Sequence, residues 1–349
     1  MNIVNIEARF FGRRSISPQT KEDTVITLQR TVVGKPINVE THDQPHLDEI
    51  AAMWLVERFA SQAWLNQHCP EGTLRLGVGR GEFDEHADAG KPAKADECCL
   101  TLVAKSLGVQ DNPALIQLIK FVYNVDAKGG GHPFDLYNMV KMLNLQFPTE
   151  PERVIEWAVQ ALEAKYAEQS EFAASVAQIK RASLDEISLH GVTNGPVAKI
   201  MTIESDRRMI LAAAIADREC RLDVIIQKRS DNRVMIMTSR NSGYALGEVV
   251  WRLRVKEKDP FAQESAIPWE QRRDLSCEGF GPNDERWFYA KRGEMILNGS
   301  HTAPNVPPTG LTLKEIQGCV RRGLLPQLRQ RAQKQTTNIT PIAEAKKSS

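Results

Sequence analysis

The sequence holds no run approaching the roughly 18 consecutive apolar residues that a membrane-spanning helix requires. Its first residues, MNIVNIEARFFGRR, lack the order of charge, apolar core and small-residue cleavage site that marks a secretory signal. A cytoplasmic protein with no membrane partner is therefore expected. Neither sign of charge dominates: 45 Lys and Arg stand against 44 Asp and Glu, a formal +1, which excludes a chain-wide field for polyanions and confines any nucleic-acid contact to a local site. Cysteine is sparse, and Cys69, Cys98, Cys99, Cys220, Cys277 and Cys319 show no C-x-x-C spacing, so neither a zinc nor a disulfide framework is expected. There is no internal repeat. The glycines of GVGRGEF are not spaced as the dinucleotide-binding G-x-G-x-x-G, which excludes that use of them.

What is present is ordinary globular material. Hydrophobic residues at 42% and charged residues at 26%, with 18 Pro and 22 Gly, exclude a wholly disordered, collagenous or coiled-coil chain. At 349 residues, about two domains are expected.

Residues 1–35 alternate weakly, in Val4, Ile6 and Ala8 and again in Thr24, Ile26 and Leu28, which predicts a β extension of two short strands around a polar turn at 17–22. Over 36–148, INVETH reads as a strand and DEIAAMWLVERFASQAWL as a helix burying Ile50, Met53, Trp54 and Val56. LRLGVGRGEF is a second strand, CCLTLVAKSL a segment stopped at Gly108, and Asn112-Pro113 the start of a helix through ALIQLIKFVY, with another from near Pro133. Thr149 and Glu152 form a capping-box pattern for a helix to about Ser183. Such a helix, on the order of 50 Å long, makes 149–190 a link between two domains. Over 191–325, VAKIMTIE, LDVIIQK and RVMIMTS read as strands, RWFYA and EMILN as a hairpin, and LTLKEIQGCVRRGL as a closing helix capped by Thr312 with Glu315. The polar, basic segment 326–349 is expected to be disordered. The fold class is α/β: a parallel-sheet N-terminal domain joined by a long helix to a smaller mixed α/β domain.

The residues that carry chemistry stand at the carboxyl ends of the strands of the first half, where open α/β sheets place their ligand crevices. THDQPHLDE puts His42, His46 and Asp48 on one short strand-to-helix loop, a mixture of nitrogen and hard oxygen donors suited to a divalent metal. GVGRGEFDEH places Asp84, Glu85 and His86 after the next strand, and FVYNVDAKGGGHPFD adds Asp126, with His132 following three glycines.

This succession, H-x3-H-x-D, then FDEH, then a lone Asp, resembles the DHH phosphoesterase superfamily over about residues 36–145. Within it the chain is most similar to the melanocyte-proliferating-gene-type metal-dependent exonucleases, through THDQPHLDE and VGRGEFDEH. The resemblance extends more loosely over 197–320, where the family carries a smaller substrate-binding domain. Two positions differ from the family pattern. Gly77 stands where a metal-bridging aspartate is usual, and Glu85 where the Asp-His-His element has its first histidine. Asp84 and Glu85 could take over those roles, the site could hold one metal, or activity could be lost.

The resemblance implies two Mn²⁺ or Mg²⁺ ions held by His42, His46, Asp48, Asp84 and Asp126, with Asp84, Glu85 and His86 as catalytic groups. His86 would polarise the phosphate or protonate the leaving oxygen. GSHTAPN resembles the loop that the family's smaller domain places over the cleft, so Gly299, Ser300 and His301 are expected to bind substrate, with Arg240, Arg292 and His132. Trp287, Phe288 and Tyr289 fit a core better than a base-stacking surface. The implied function is phosphodiester hydrolysis of single-stranded nucleic-acid ends or short oligonucleotides. A small substrate (pyrophosphate, a nucleotide or a cyclic dinucleotide) is one alternative, and a catalytically weakened binding subunit is the other. A homo-oligomer is left open.

Overall fold

The computed structural model describes residues 24–344 except 70, 87–93, 95, 130, 190–191, 193–194, 217–220, 240, 283 and 301–302. The strand expected at Val4–Ala8 and the turn at 17–22 lie outside the described residues. Contacts divide the chain into two units, Met1–Tyr166 and Ala167–Ser349. No helix among the described residues is long and apolar enough to cross a membrane.

In the first unit, β1 (Val25–Val32) pairs antiparallel with β2 (Lys35–His42). The two-residue turn between them takes Val33 and Gly34 to φ +52° and +73°, the left-handed geometry that a tight hairpin needs. The hairpin is thus made by Thr24–Leu28 with INVETH, and not with the N-terminal segment. From β2 the chain enters α1 (Leu47–Phe59) and α2 (Gln62–His68), then β3 (Thr73–Arg75), which lies parallel to β2. The sheet order is β1-β2-β3, so the expected parallel sheet is instead a small mixed one. The helices α3 (Cys99–Ser106), α4 (Ile116–Ala127) and α5 (Leu136–Gln146) complete the unit. Gly108, at φ +68°, ends α3 with Val109 N–H returning to the Ala104 carbonyl, as the sequence predicts.

All residues of α1 from Leu47 to Val56 are buried. The helix packs against β1, α3, α4 and α5, so it is covered all round and not on one face. Trp54, Ile50, Leu55, Leu100, Leu115 and Val122 form the centre of this core.

The helix α6 (Pro151–Ile179) spans 29 residues, about 44 Å at helical rise. The division between units falls inside it, so the linking helix is shared by both units and is not a separate segment. Glu152, expected to cap it, accepts instead from Arg30 at 2.6 Å.

The second unit contains β4 (Leu184–Ile187), β5 (Ala198–Glu204), α7 (Ile210–Ala216), β6 (Val224–Lys228), β7 (Val234–Thr238), α8 (Gly247–Lys258), α9 (Trp269–Leu275), β8 (Gly279–Phe280), β9 (Phe288–Ala290), β10 (Met295–Leu297) and α10 (Leu313–Glu344). Its sheet runs β4-β5-β6-β7-β10-β9-β8, with β5 and β6 parallel across the α7 crossover and the other pairs antiparallel. One core combines Ile226, Ile236 and Ile296 with Val250 and Leu253 of α8 and Ile316, Val320, Leu324 and Leu328 of α10, and a second gathers Met201, Ile225 and Ile210. Thr312 and Glu315 cap α10 as expected, Thr312 N–H donating to Glu315 at 2.8 Å. The segment expected to be disordered from 326 continues this helix to Glu344. Leu328 is buried, and Arg331 lies 3.7 Å over the Tyr244 ring and donates to the Ser242 carbonyl at 2.6 Å, which explains the extension.

Candidate metal centre

The parallel pair β2/β3 delivers the chain twice to the same edge of the sheet. His42 is the last residue of β2, His46 immediately precedes α1, and Asp48 and Glu49 occupy the first turn of that helix. Both carboxylates are buried, at 3% and 2% exposure. Burying them costs several kcal/mol each unless charge and hydrogen bonds compensate. Part of the compensation is local. Asp48 Oδ2 accepts the N–H of Cys99, the first residue of α3, at 3.2 Å, and Glu49 Oε2 accepts the N–H of His46 at 2.9 Å. Glu49 Oε1 meets His42 Nδ1.

Asp126, in the last turn of α4, reaches the same place: His46, Asp48 and Asp126 each offer an atom within 4.8 Å of the others. A second triad, Asp84, Glu85 and His86, satisfies the same criterion. Within it Asp84 is spoken for, since its oxygens accept Arg80 N–H at 2.7 Å and His86 N–H at 2.9 Å and face His86 Nδ1 at 2.8 Å. Glu85 differs, because its Oε2 is buried with no hydrogen-bond partner among the described residues.

The two triads act on each other electrostatically. Burial, reinforced by Glu49, Asp126 and Glu85, pushes the Asp48 carboxyl well above the usual range, against the pull of the Cys99 N–H. Burial also raises Asp126, with Glu49 adding to it and His46 and His86 opposing. Glu85 is raised by burial, with Asp126 and Asp84 contributing. Burial works to lower His86, yet its bond to Asp84 and the charges of Glu85 and Asp84 leave it raised. For Asp84 burial is outweighed by the bonds from His86 and Arg80, and its carboxyl is lowered. Burial and mutual repulsion raise the Asp48, Glu85 and Asp126 carboxyls together, a cost of ionisation that a bound divalent cation would relieve.

The helix-start thiols Cys98 and Cys99 lie beside this site and are fully buried. Burial first, then the charge of Asp48, pushes Cys98 up to about 12 and Cys99 well above its ordinary value. They are core residues, not ligands, at rest. Next to His46 a cavity of about 280 Å³ is lined by Gln44, Leu47, Tyr137, Lys141, Asn144 and Leu145, among others.

Of the residues singled out in the sequence, the structure brings His46, Asp48 and Asp126 together in one group and Asp84, Glu85 and His86 in another, while His42 meets Glu49. His132 belongs to neither triad; it is exposed between α4 and α5, where its Nδ1 accepts the Phe134 N–H at 3.2 Å. In the second unit Gly299 has φ +75°, Ser300 bridges to Ala303, and Arg292 is exposed in a short 3₁₀ turn. Arg240 and His301 lie outside the described residues. Trp287 and Tyr289 are core residues. Glu49 was not singled out by the sequence, because a glutamate in a first helical turn ordinarily faces water. Its only signal there is adjacency to Asp48. Arg233 also carries no signal in the sequence: it donates to the Pro304 carbonyl and lies where a side chain at Gly299 would go.

No protein-family model, curated protein or solved structure matches the chain.

Proposed function

We propose that the protein is a metal-dependent phosphoesterase acting on phosphodiesters of single-stranded nucleic-acid ends or short oligonucleotides. The observation that carries this reading is the grouping of buried Asp48 with half-buried Asp126 and exposed His46, beside a second group of Asp84, Glu85 and His86 in which Glu85 Oε2 is left without a partner among the described residues. The donors are carboxylate oxygens and imidazole nitrogens, a set that fits Mn²⁺, or Mg²⁺ with fewer nitrogens. His42, His46, Asp48, Asp126 and Glu85 are the residues that would hold the ions. Bound divalent ions supply water activated near neutral pH and neutralise charge on the phosphoryl oxygens.

The chain's own groups supply the rest. Asp84, whose oxygens are already engaged by Arg80 and His86, orients the His86 ring through Nδ1 and is not a ligand. His86 is exposed, carries a raised pKa and presents Nε2 as the proton donor to the leaving oxygen. In the cavity beside His46, Leu47, Tyr137 and Leu145 form an apolar wall for the group attached to the phosphate, and Lys141 and Gln44 offer donors to its oxygens.

The test is calorimetric titration with Mn²⁺ followed by hydrolysis of an end-labelled single-stranded oligonucleotide, with a dinucleotide and pyrophosphate as comparison substrates. About two Mn²⁺ per chain and metal-dependent cleavage of the oligonucleotide are expected. Metal binding without hydrolysis of any of the three, with Mn²⁺, Mg²⁺ or Co²⁺, would replace this reading with that of a binding subunit.

A further inference from the structure

We infer that Glu49 is a positioning residue of the metal centre, whose carboxylate sets the His42 ring for coordination through Nε2, and that Gly77 is glycine because this carboxylate occupies the space a side chain there would need. The inference rests on the metal reading above. Glu49 is more completely buried than any other carboxylate of the site, and both of its oxygens are committed: Oε1 to His42 Nδ1 and Oε2 to the His46 N–H. One side chain therefore ties together the end of β2 and the start of α1, the two places from which the histidines project. A carboxylate at Nδ1 selects the tautomer with the proton on Nδ1, which leaves the Nε2 lone pair as the donor, and it raises the basicity of that donor.

Gly77 supplies an independent line of evidence. It follows β3 at φ +66°, and a Cβ built there would lie 2.2 Å from Glu49 Oε1 and 2.9 Å from Glu49 Cδ and Cγ. The overlap involves most of the glutamate side chain and not its tip alone, so any residue larger than glycine must drive the carboxylate off His42. The stretch from the β3 end thus contributes no side chain at this point, and α1 contributes the carboxylate in its stead.

The experiment is a double-mutant cycle on the full chain, read by Mn²⁺ calorimetry, together with ¹⁵N spectra of the His42 ring in metal-free protein. Glu49→Ala and His42→Ala should each weaken Mn²⁺ binding about 10–100-fold, and the double variant should be no weaker than the worse single one, since Glu49 acts through His42. Glu49→Gln, which keeps one acceptor oxygen, should lose less. Gly77→Ala should match Glu49→Ala and add nothing to it. The ¹⁵N shifts should show a proton on Nδ1 in the wild type. If Glu49→Ala does not fold, Glu49→Gln and Gly77→Ala complete the cycle.

Losses that multiply across the cycle, or wild-type affinity in Glu49→Ala, would overturn the positioning role while leaving the metal reading intact. A His42 ring bare at Nδ1 would overturn it without reference to metal. A wild type that binds no Mn²⁺ would overturn both.

Discussion

Asp48→Asn should make the metal-free protein more stable at pH 7.5 and remove its response to Mn²⁺. The asparagine keeps a carbonyl oxygen for the Cys99 N–H, so the start of α3 stays satisfied. It also removes the charge that Glu49, Asp126 and Glu85 oppose and presents an amide donor to them. One added neutral hydrogen bond contributes on the order of 1 kcal/mol. Asp48→Ala should have the opposite sign, since it leaves the Cys99 N–H buried without its acceptor, at about 1–3 kcal/mol. With wild type at 100 times the dissociation constant in Mn²⁺, the gain is about 2.7 kcal/mol, or roughly 5–10 °C in melting temperature for a unit of this size. Thermal melts of the three proteins with and without Mn²⁺ read all these quantities. A metal-free Asp48→Asn protein that melts below the wild type, or one that keeps the Mn²⁺ shift, would refute the account of Asp48 as a repelled ligand.

Further outcomes follow from the same groups and from the second unit. Because Asp48, Glu85 and Asp126 are raised, these three groups bind more protons in the folded metal-free protein than in the unfolded chain above about pH 4, so their contribution to stability should fall as pH rises from there toward neutrality, read as the difference in slope between wild type and Asp48→Asn. The raised His86 adds the same sign, contributing below about pH 6.5 and losing that contribution through its higher folded value; denaturant melts across pH 4–8 check the slope. His86→Ala should keep Mn²⁺ affinity within a few-fold and cut turnover by about 10²–10⁴, as single-turnover hydrolysis would show. Arg254, buried in α8, donates to the carbonyls of Leu275, Cys277, Gly279 and Trp287, so Arg254→Ala should cost about 3–5 kcal/mol in urea unfolding. Gly323→Ala would place a Cβ 2.9 Å from the Val249 backbone nitrogen, where α10 meets α8, and should cost about 1–3 kcal/mol by the same assay.

The donors of the candidate site were legible because each stands at the end of an apolar run: His42 after INVET, Asp84 after the glycines of GVGRGEF, Asp126 after FVYNV. His42 and Asp84 follow the two parallel strands β2 and β3, whereas Asp126 comes from the last turn of α4. The depth of α1 was not legible. A helix with Asp48 and Glu49 in its first turn and Glu57 and Arg58 in its last reads as amphipathic, and only the packing of β1, α3, α4 and α5 around it shows that the first turn is interior. The β1–β2 turn escaped notice because Val33 is a poor residue for a left-handed position and marks no turn by type. Pro326 and the basic residues beyond it read as a helix stop and a solvated tail. In the fold Leu324 and Leu328 bury against the α8 core on either side of that proline, and tertiary packing overrides the local signal.

The two desolvated thiols at the head of α3 give the protein a built-in chemical clock. Alkylating reagents attack the thiolate, and Cys98 and Cys99, shut away and held protonated, present almost none while the fold is closed. Each modification at these two positions therefore records an excursion that uncovers the head of α3, the turn whose Cys99 N–H donates to Asp48. Labelling rates would thus time the opening of the very turn that meets the acidic donors. An ion seated among those donors would slow that clock without itself touching sulfur.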